Sequence, residues 1–178
     1  MTYARSVRSF IETRDDRLMR RLHHWQAPRW IRVWMIVATR LGDGWLWYGL
    51  GIALLIAGGS KQLAAVESAG AAALTGVLLY VSLKRVFRRR RPCDIEPHCW
   101  ARVLPPDQFS FPSGHAISAF SVAIALSACY PAFLIPLLFA ALSISVSRIV
   151  LGMHFLSDVI AGVSIGSVLG VLFFRAFH

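Results

Sequence analysis

Acidic residues are scarce in this 178-residue chain, with 9 Asp and Glu against 19 Lys and Arg and a formal net charge of +10. Charge of either sign is sparse, at 16% of residues, where a soluble domain carries roughly a quarter. Three cysteines cannot all pair, which excludes a disulfide framework. The first 29 residues lack an apolar run, so no secretory signal peptide is expected. What fills the chain instead is apolar: 56% of residues are hydrophobic and the mean hydropathy is +0.57. These residues fall in blocks long enough to cross the roughly 30 Å hydrocarbon core of a bilayer. The sequence is that of an integral membrane protein.

The expected architecture is all-α, a polytopic helix bundle of about five transmembrane helices preceded by an interfacial amphipathic helix. In residues 1 to about 29, Val7, Phe10, Ile11, Leu18, Leu22 and Trp25 recur at helical spacing among arginines, which suits a helix on the membrane surface. Trp30 to Thr39 is apolar but, bounded by Arg32 and Arg40, too short to span, and Gly42-Asp43-Gly44 makes a turn after it. Spans are expected over about Trp45–Ala57, Val66–Leu83, Ser113–Ala128, Ala132–Ile149 and Ser157–Phe174. A long polar segment, Lys84 to Phe111, separates the second from the third. Gly162, Gly166 and Gly170 line one face of the last span, where they permit close packing within the bundle or, alternatively, in a dimer. No repeat or boundary divides the chain. It is expected to be one membrane-embedded domain over 1–178, with 1–43 as the N-terminal segment and 44–178 as the core.

Five spans sort the charged residues by side. Lys84, Arg91, Ser113, Gly114, His115, Arg148, His154 and Asp158 come from three distant segments, yet all fall at one membrane surface. Ionisable groups at such positions mark function, because their burial is costly. Pro112-Ser113-Gly114-His115 opens a helix, whose free N–H groups form an anion site, and Gly114 lets the backbone approach closely. Lys84, Arg91 and Arg148 would give charge-assisted hydrogen bonds to phosphoryl oxygens. His154 and Asp158, four apart on one helical face, suit an imidazole held by a carboxylate with its other nitrogen free as a nucleophile. His115 is then left to protonate a leaving oxygen. The basic residues lie between apolar blocks, so the expected partners are the bilayer and a lipid carrying a phosphate or pyrophosphate, not nucleic acid.

Lys84-x6-Arg91-Pro92, Pro112-Ser113-Gly114-His115 and Ser147-Arg148-x5-His154-x3-Asp158 together resemble the three-part signature of the type-2 phosphatidic acid phosphatase family of membrane lipid phosphatases. The resemblance covers about two-fifths of the chain, Lys84 to Asp158, without departure at a motif position. It implies hydrolysis of a lipid phosphomonoester or pyrophosphate through a phosphohistidine on His154, oriented by Asp158. His115 is then the acid, while Lys84, Arg91, Ser113, Gly114 and Arg148 hold the phosphoryl group. It implies no metal and no cofactor, and Cys93, His98 and Cys99 lack a four-ligand zinc spacing. Short bacterial members are the nearest in design, which implies the inner membrane and a phosphatidic acid, phosphatidylglycerol phosphate, polyprenyl pyrophosphate or lipid A phosphate substrate. A phosphotransferase with the same intermediate and a non-catalytic anionic-lipid-binding module are the alternatives.

Sidedness and cysteine state stay open at this level. Bacterial relatives often act on the outer face, whereas 17 of the 19 basic residues fall on the site's face, which by the positive-inside rule is cytoplasmic. A long or re-entrant span over residues 30 to 57 would move the N-terminal arginines across. Cys93 and Cys99 are either a disulfide or two thiols, and nothing specifies the oligomeric state.

Overall fold

The computed structural model describes residues 2–96 and 107–178. Its helices are α1 (Thr2–His24), α2 (Arg29–Arg40), α3 (Leu46–Ala57), α4 (Ser60–Phe87), the short α5 (Pro92–Ile95), α6 (Gly114–Cys129), α7 (Leu134–Val150) and α8 (Leu156–Phe177). The only β pairing among the described residues is one isolated bridge between Arg90 and Phe109. A helix stands at each expected span. Three stretches are long and apolar enough to cross a bilayer unaided: Ser60–Phe87, Pro131–Val150 and Leu156–Phe177. The α6 helix is shorter at 16 residues, and α3, at 12 residues, reaches only about 18 Å.

The α6 helix is the centre of the bundle, packed by α4, α7 and α8. It is built for that place: Ala116, Ala119, Ala123 and Ala125 are buried with Ile117, Phe120 and Leu126, and their small side chains admit neighbours from every side. The glycine stripe of α8 faces α6. A Cβ at Gly162 would stand 2.7 Å from the Ser113 carbonyl oxygen, one at Gly170 2.8 Å from that of Ser121, and one at Gly166 would collide with that of Ile117. The stripe therefore serves packing within the chain, and it fixes the first turn of α6 against the first turn of α8. On the outside, Ile56, Leu78, Ile135, Phe139, Ile160 and Val168 are exposed, a girdle that only lipid would solvate favourably.

The two N-terminal helices lie at the end of the bundle that carries the signature residues. Asp15 of α1 is buried, accepting hydrogen bonds from Arg89 and from the backbone and hydroxyl of Ser157. Met35 of α2 packs on Val150, Leu151 and Met153, and Thr39 meets Arg148. Residues 29–57 therefore do not form one straight span: α2 stays at this end, the chain kinks at Gly44 (φ 114°), and α3 descends along α4. Cys99 and His98 lie outside the described residues, and with them the Cys93–Cys99 pairing.

Candidate active site

Local structure explains how each signature residue arrives. The α4 helix ends at Arg88, whose left-handed conformation (φ 46°) turns Arg89 to Arg91 back over the bundle. The Arg89 carbonyl accepts the Ser110 N–H at 2.8 Å, which ties this turn to the segment leading into α6. After α7, a tight turn through Gly152 (φ 68°) folds back, so that the Met153 and His154 N–H groups both reach the Arg148 carbonyl. This sets His154 directly over the end of α7. At the start of α8, Asp158 accepts the Phe155 N–H at 2.9 Å, an acid in the first turn closing back on the residue before the helix.

These turns surround a cavity of about 500 Å³ whose polar end is lined by Lys84, Arg91, Asp107, His115, Arg148 and His154. Its apolar end runs between α3, α4 and α6 past Trp47, Leu74, Val77 and Val122. Of the residues singled out in the sequence, Gly114 also lines it. Ser113 and Asp158 stand behind, both fully buried. The Ser113 N–H donates to the Asp158 carbonyl at 3.1 Å, and its hydroxyl has no partner.

The charges are costly as they stand. Arg91 is 0% and Arg148 2% exposed, and an ion removed from water loses several kcal/mol of solvation unless it is paired. Arg91 is well held, donating to the Met153 carbonyl at 2.7 Å, the Asp107 carbonyl at 2.8 Å and the Asp107 carboxylate at 2.7 Å. Lys84 donates to the other oxygen of Asp107 at 2.6 Å. Burial works to raise the Asp107 pKa, but the hydrogen bonds from Lys84 and Arg91 outweigh it and hold the carboxyl below its ordinary value. Arg148 has one bond, 2.6 Å to the Thr39 hydroxyl, and its Nε and second terminal nitrogen are buried without a partner.

His154 lies 3.2 Å from Arg91 through Nε2, which directs that nitrogen to the cationic end of the cavity. Its Nδ1 points toward Asp158 but does not reach hydrogen-bond distance: the Oδ2 atom is 3.9 Å away and Nδ1 is buried without a partner. The expected His154–Asp158 hydrogen bond is thus open, because Asp158 is committed elsewhere, to the Phe155 N–H and to Arg89 at 2.6 Å. Burial lowers the His154 pKa well below its ordinary value of 6.5, and the charges of Arg148, Arg91 and Lys84 push the same way.

Four participants are absent from the signature. Asp43 accepts a hydrogen bond from His115, Asp107 holds Lys84 and Arg91, Arg89 pairs with Asp158, and Asp15 braces Arg89 at 2.8 Å. Asp43 had a signal in its glycine flanks, and Asp15 in being an acid amid arginines. Asp107 and Arg89 had none that distinguished them from other loop charges. Among the described residues no three His, Cys, Asp or Glu side chains are grouped to hold a metal ion.

Known proteins resemble this chain in sequence and fold. The chain is 36% identical over 108 residues to decaprenylphosphoryl-5-phosphoribose phosphatase of Mycobacterium tuberculosis, a match covering 58% of this chain and 56% of that protein. With the Mycolicibacterium smegmatis protein of the same name it is 36% identical over 118 residues, 62% of this chain and 61% of that one. The chain thus spans a little over half the length of these relatives. Among solved structures, a PAP2-type phosphatidylglycerolphosphate phosphatase of Bacillus subtilis superposes with a TM-score of 0.71 at 25% identity, covering 94% of this chain and 85% of the other. LpxE of Aquifex aeolicus superposes with a TM-score of 0.74 at 29% identity, covering 89% and 93%. The sequence profile of the PAP2 superfamily matches residues 64–178, from the first turns of α4 to the end of α8, and the chain belongs to that superfamily.

Proposed function

We propose that this protein is a membrane lipid phosphatase that hydrolyses a lipid phosphomonoester or pyrophosphate through a phosphohistidine on His154. The observation that carries the reading is Arg148: a buried guanidinium with two unpartnered nitrogens, on the wall of the cavity that also holds His154 Nε2. A buried guanidinium left this way is costly, and an anion in the cavity would complete it. Lys84 and Arg91 already hold a carboxylate, that of Asp107, the kind of contact an incoming phosphoryl group would make. Three cations line the one cavity, the kind of setting that stabilises charge on a transferring phosphoryl group.

The geometry supports the following course for the reaction. Nε2 of His154 attacks phosphorus as the bond to the lipid oxygen breaks, and His115 gives that oxygen its proton. Nδ1 bears the other ring proton, and the positive charge that develops on the ring faces the Asp158 carboxylate. At 3.9 Å the carboxylate is close enough to oppose that charge through space, and catalytic hydrogen bonds are often long before substrate binds. His115 then takes a proton from water, whose oxygen displaces His154, and phosphate leaves.

The apolar arm of the cavity, past Trp47, Leu74 and Val77, supports a long-chain tail beside the phosphate. The mycobacterial relatives are named for a prenyl-linked sugar phosphate and the Bacillus one for a glycerolipid phosphate, which supports lipid-linked phosphates as the class. For this chain we further propose the inner membrane as its location and 1–178 as a single domain. The test is phosphate release in detergent and chelator from phosphatidic acid, phosphatidylglycerol phosphate, a polyprenyl pyrophosphate and a lipid A phosphate. Release from at least one, abolished in His154→Ala, is expected; turnover retained in that variant would overturn the mechanism.

A further inference from the structure

His115 is held by a residue that precedes the stretch matched to the superfamily. Its Nε2 lies 2.8 Å from Asp43 Oδ1, at the kink between α2 and α3. The sequence there is Gly42-Asp43-Gly44, and a side chain at either glycine would be strained or crowded. Gly44 has φ 114°, in the region that favours glycine. A Cβ on Gly42 would stand 2.6 Å from Ile144 Cγ2 and 3.0 Å from His115 Cδ2. Bare backbone at Gly42 leaves room for the imidazole beside the carboxylate.

The surroundings of His115 give that carboxylate a chemical role. Arg148 from α7 and Lys84 from α4 face the ring with positive charge, and Asp43 is the negative group that faces it. An acid that must carry an extra proton beside two cations needs an opposing charge. The Asp43 contact also assigns the ring nitrogens: Nε2 keeps its proton on the carboxylate, which leaves Nδ1 to exchange one with the cavity.

We propose that Asp43 is a positioning residue for the general acid, holding the His115 Nε2–H so that the imidazolium delivers its proton from Nδ1 to the departing lipid oxygen. This rests on the reading of His115 given above. As the His154 Nε2–P bond forms and the P–O bond to the lipid breaks, the Nδ1 proton passes to the leaving oxygen and His115 becomes neutral, with Nε2–H still on Asp43. In the second step the Nδ1 lone pair takes a proton from water as its oxygen bonds to phosphorus and the P–N bond breaks. The proton count returns to its starting value.

Asp43→Asn tests this, because it keeps the shape and an acceptor oxygen but removes the charge. Two substrates share one alkyl tail: an alkyl phosphate, whose alkoxide leaving group needs a proton, and a tailed nitrophenyl phosphate, whose leaving group does not. The expected result is a first-turnover rate lower by about 10- to 100-fold on the alkyl ester, with far less loss on the nitrophenyl ester. An alkyl rate within about threefold of wild type, or equal losses on both esters, would overturn the role of Asp43. His115→Ala separates the two readings. If it shows the leaving-group difference and Asp43→Asn does not, only Asp43 fails; if it loses both esters equally, His115 is not the acid and the proposal falls with it.

Discussion

A histidine is a nucleophile only while one ring nitrogen keeps its lone pair, so in the proposed reaction the protonation state of His154 sets the pH at which the site works. Burial first, then the charges of Arg148, Arg91 and Lys84, depress its pKa well below 6.5. The ring is therefore neutral at pH 7 and stays neutral as pH falls past the point where a free imidazole charges. In the proposed reaction the acid limb of kcat/KM belongs to the nucleophile and is expected below pH 6.5. An acid limb at or above pH 6.5 would contradict this placement of His154. The same shift acts on stability. Its contribution is complete above the unfolded value near 6.5 and is lost as pH falls toward the folded value, because over that interval the unfolded chain binds a proton that the native one refuses.

Among the helices, the contact of α6 with α8 shapes the site, since it sets Ser113 beside Asp158. Gly166 is its tightest point, where a methyl group would meet the backbone of Ile117 rather than a movable side chain. Gly166→Ala is expected to cost about 1–3 kcal/mol by overpacking, seen as a lower thermal midpoint in detergent. Gly51→Ala on α3, whose Cβ meets nothing within 4 Å, is expected to be neutral or to gain up to about 1 kcal/mol through helix propensity. Equal effects of the two would contradict the packing described. The helices of this core were legible in the sequence because long apolar runs are punctuated by Gly58-Gly59, Pro112-Ser113 and Tyr130-Pro131. Their ends were less so: α4 runs over Ser60–Phe87, beyond the expected 66 to 83, since Lys61 and Arg85 remain helical while their long side chains reach water.

Across the whole molecule, the site is assembled from a helix end, a loop, a helix start and a reversed turn, and what unites them is charge. The signature residues could be assigned to one surface from the sequence because five apolar runs fix which polar segments share a side. Their carboxylate partners could not: Asp15 meets Arg89, Asp43 meets His115 and Asp107 meets Arg91 through tertiary contacts that no local spacing encodes. The His154–Asp158 distance was hidden for the same reason, since Arg89 competes for that carboxylate from 69 positions away. All of these contacts serve one claim, that phosphorus bonds to His154 Nε2 before water reaches it. The most direct measurement is rapid quench of the purified protein with a radiolabelled lipid phosphate it hydrolyses, followed by peptide mapping. The account predicts an acid-labile, base-stable phosphoryl group on the peptide containing His154, absent from His154→Ala. Hydrolysis with no such adduct at any quench time, or an adduct on another residue, would contradict it.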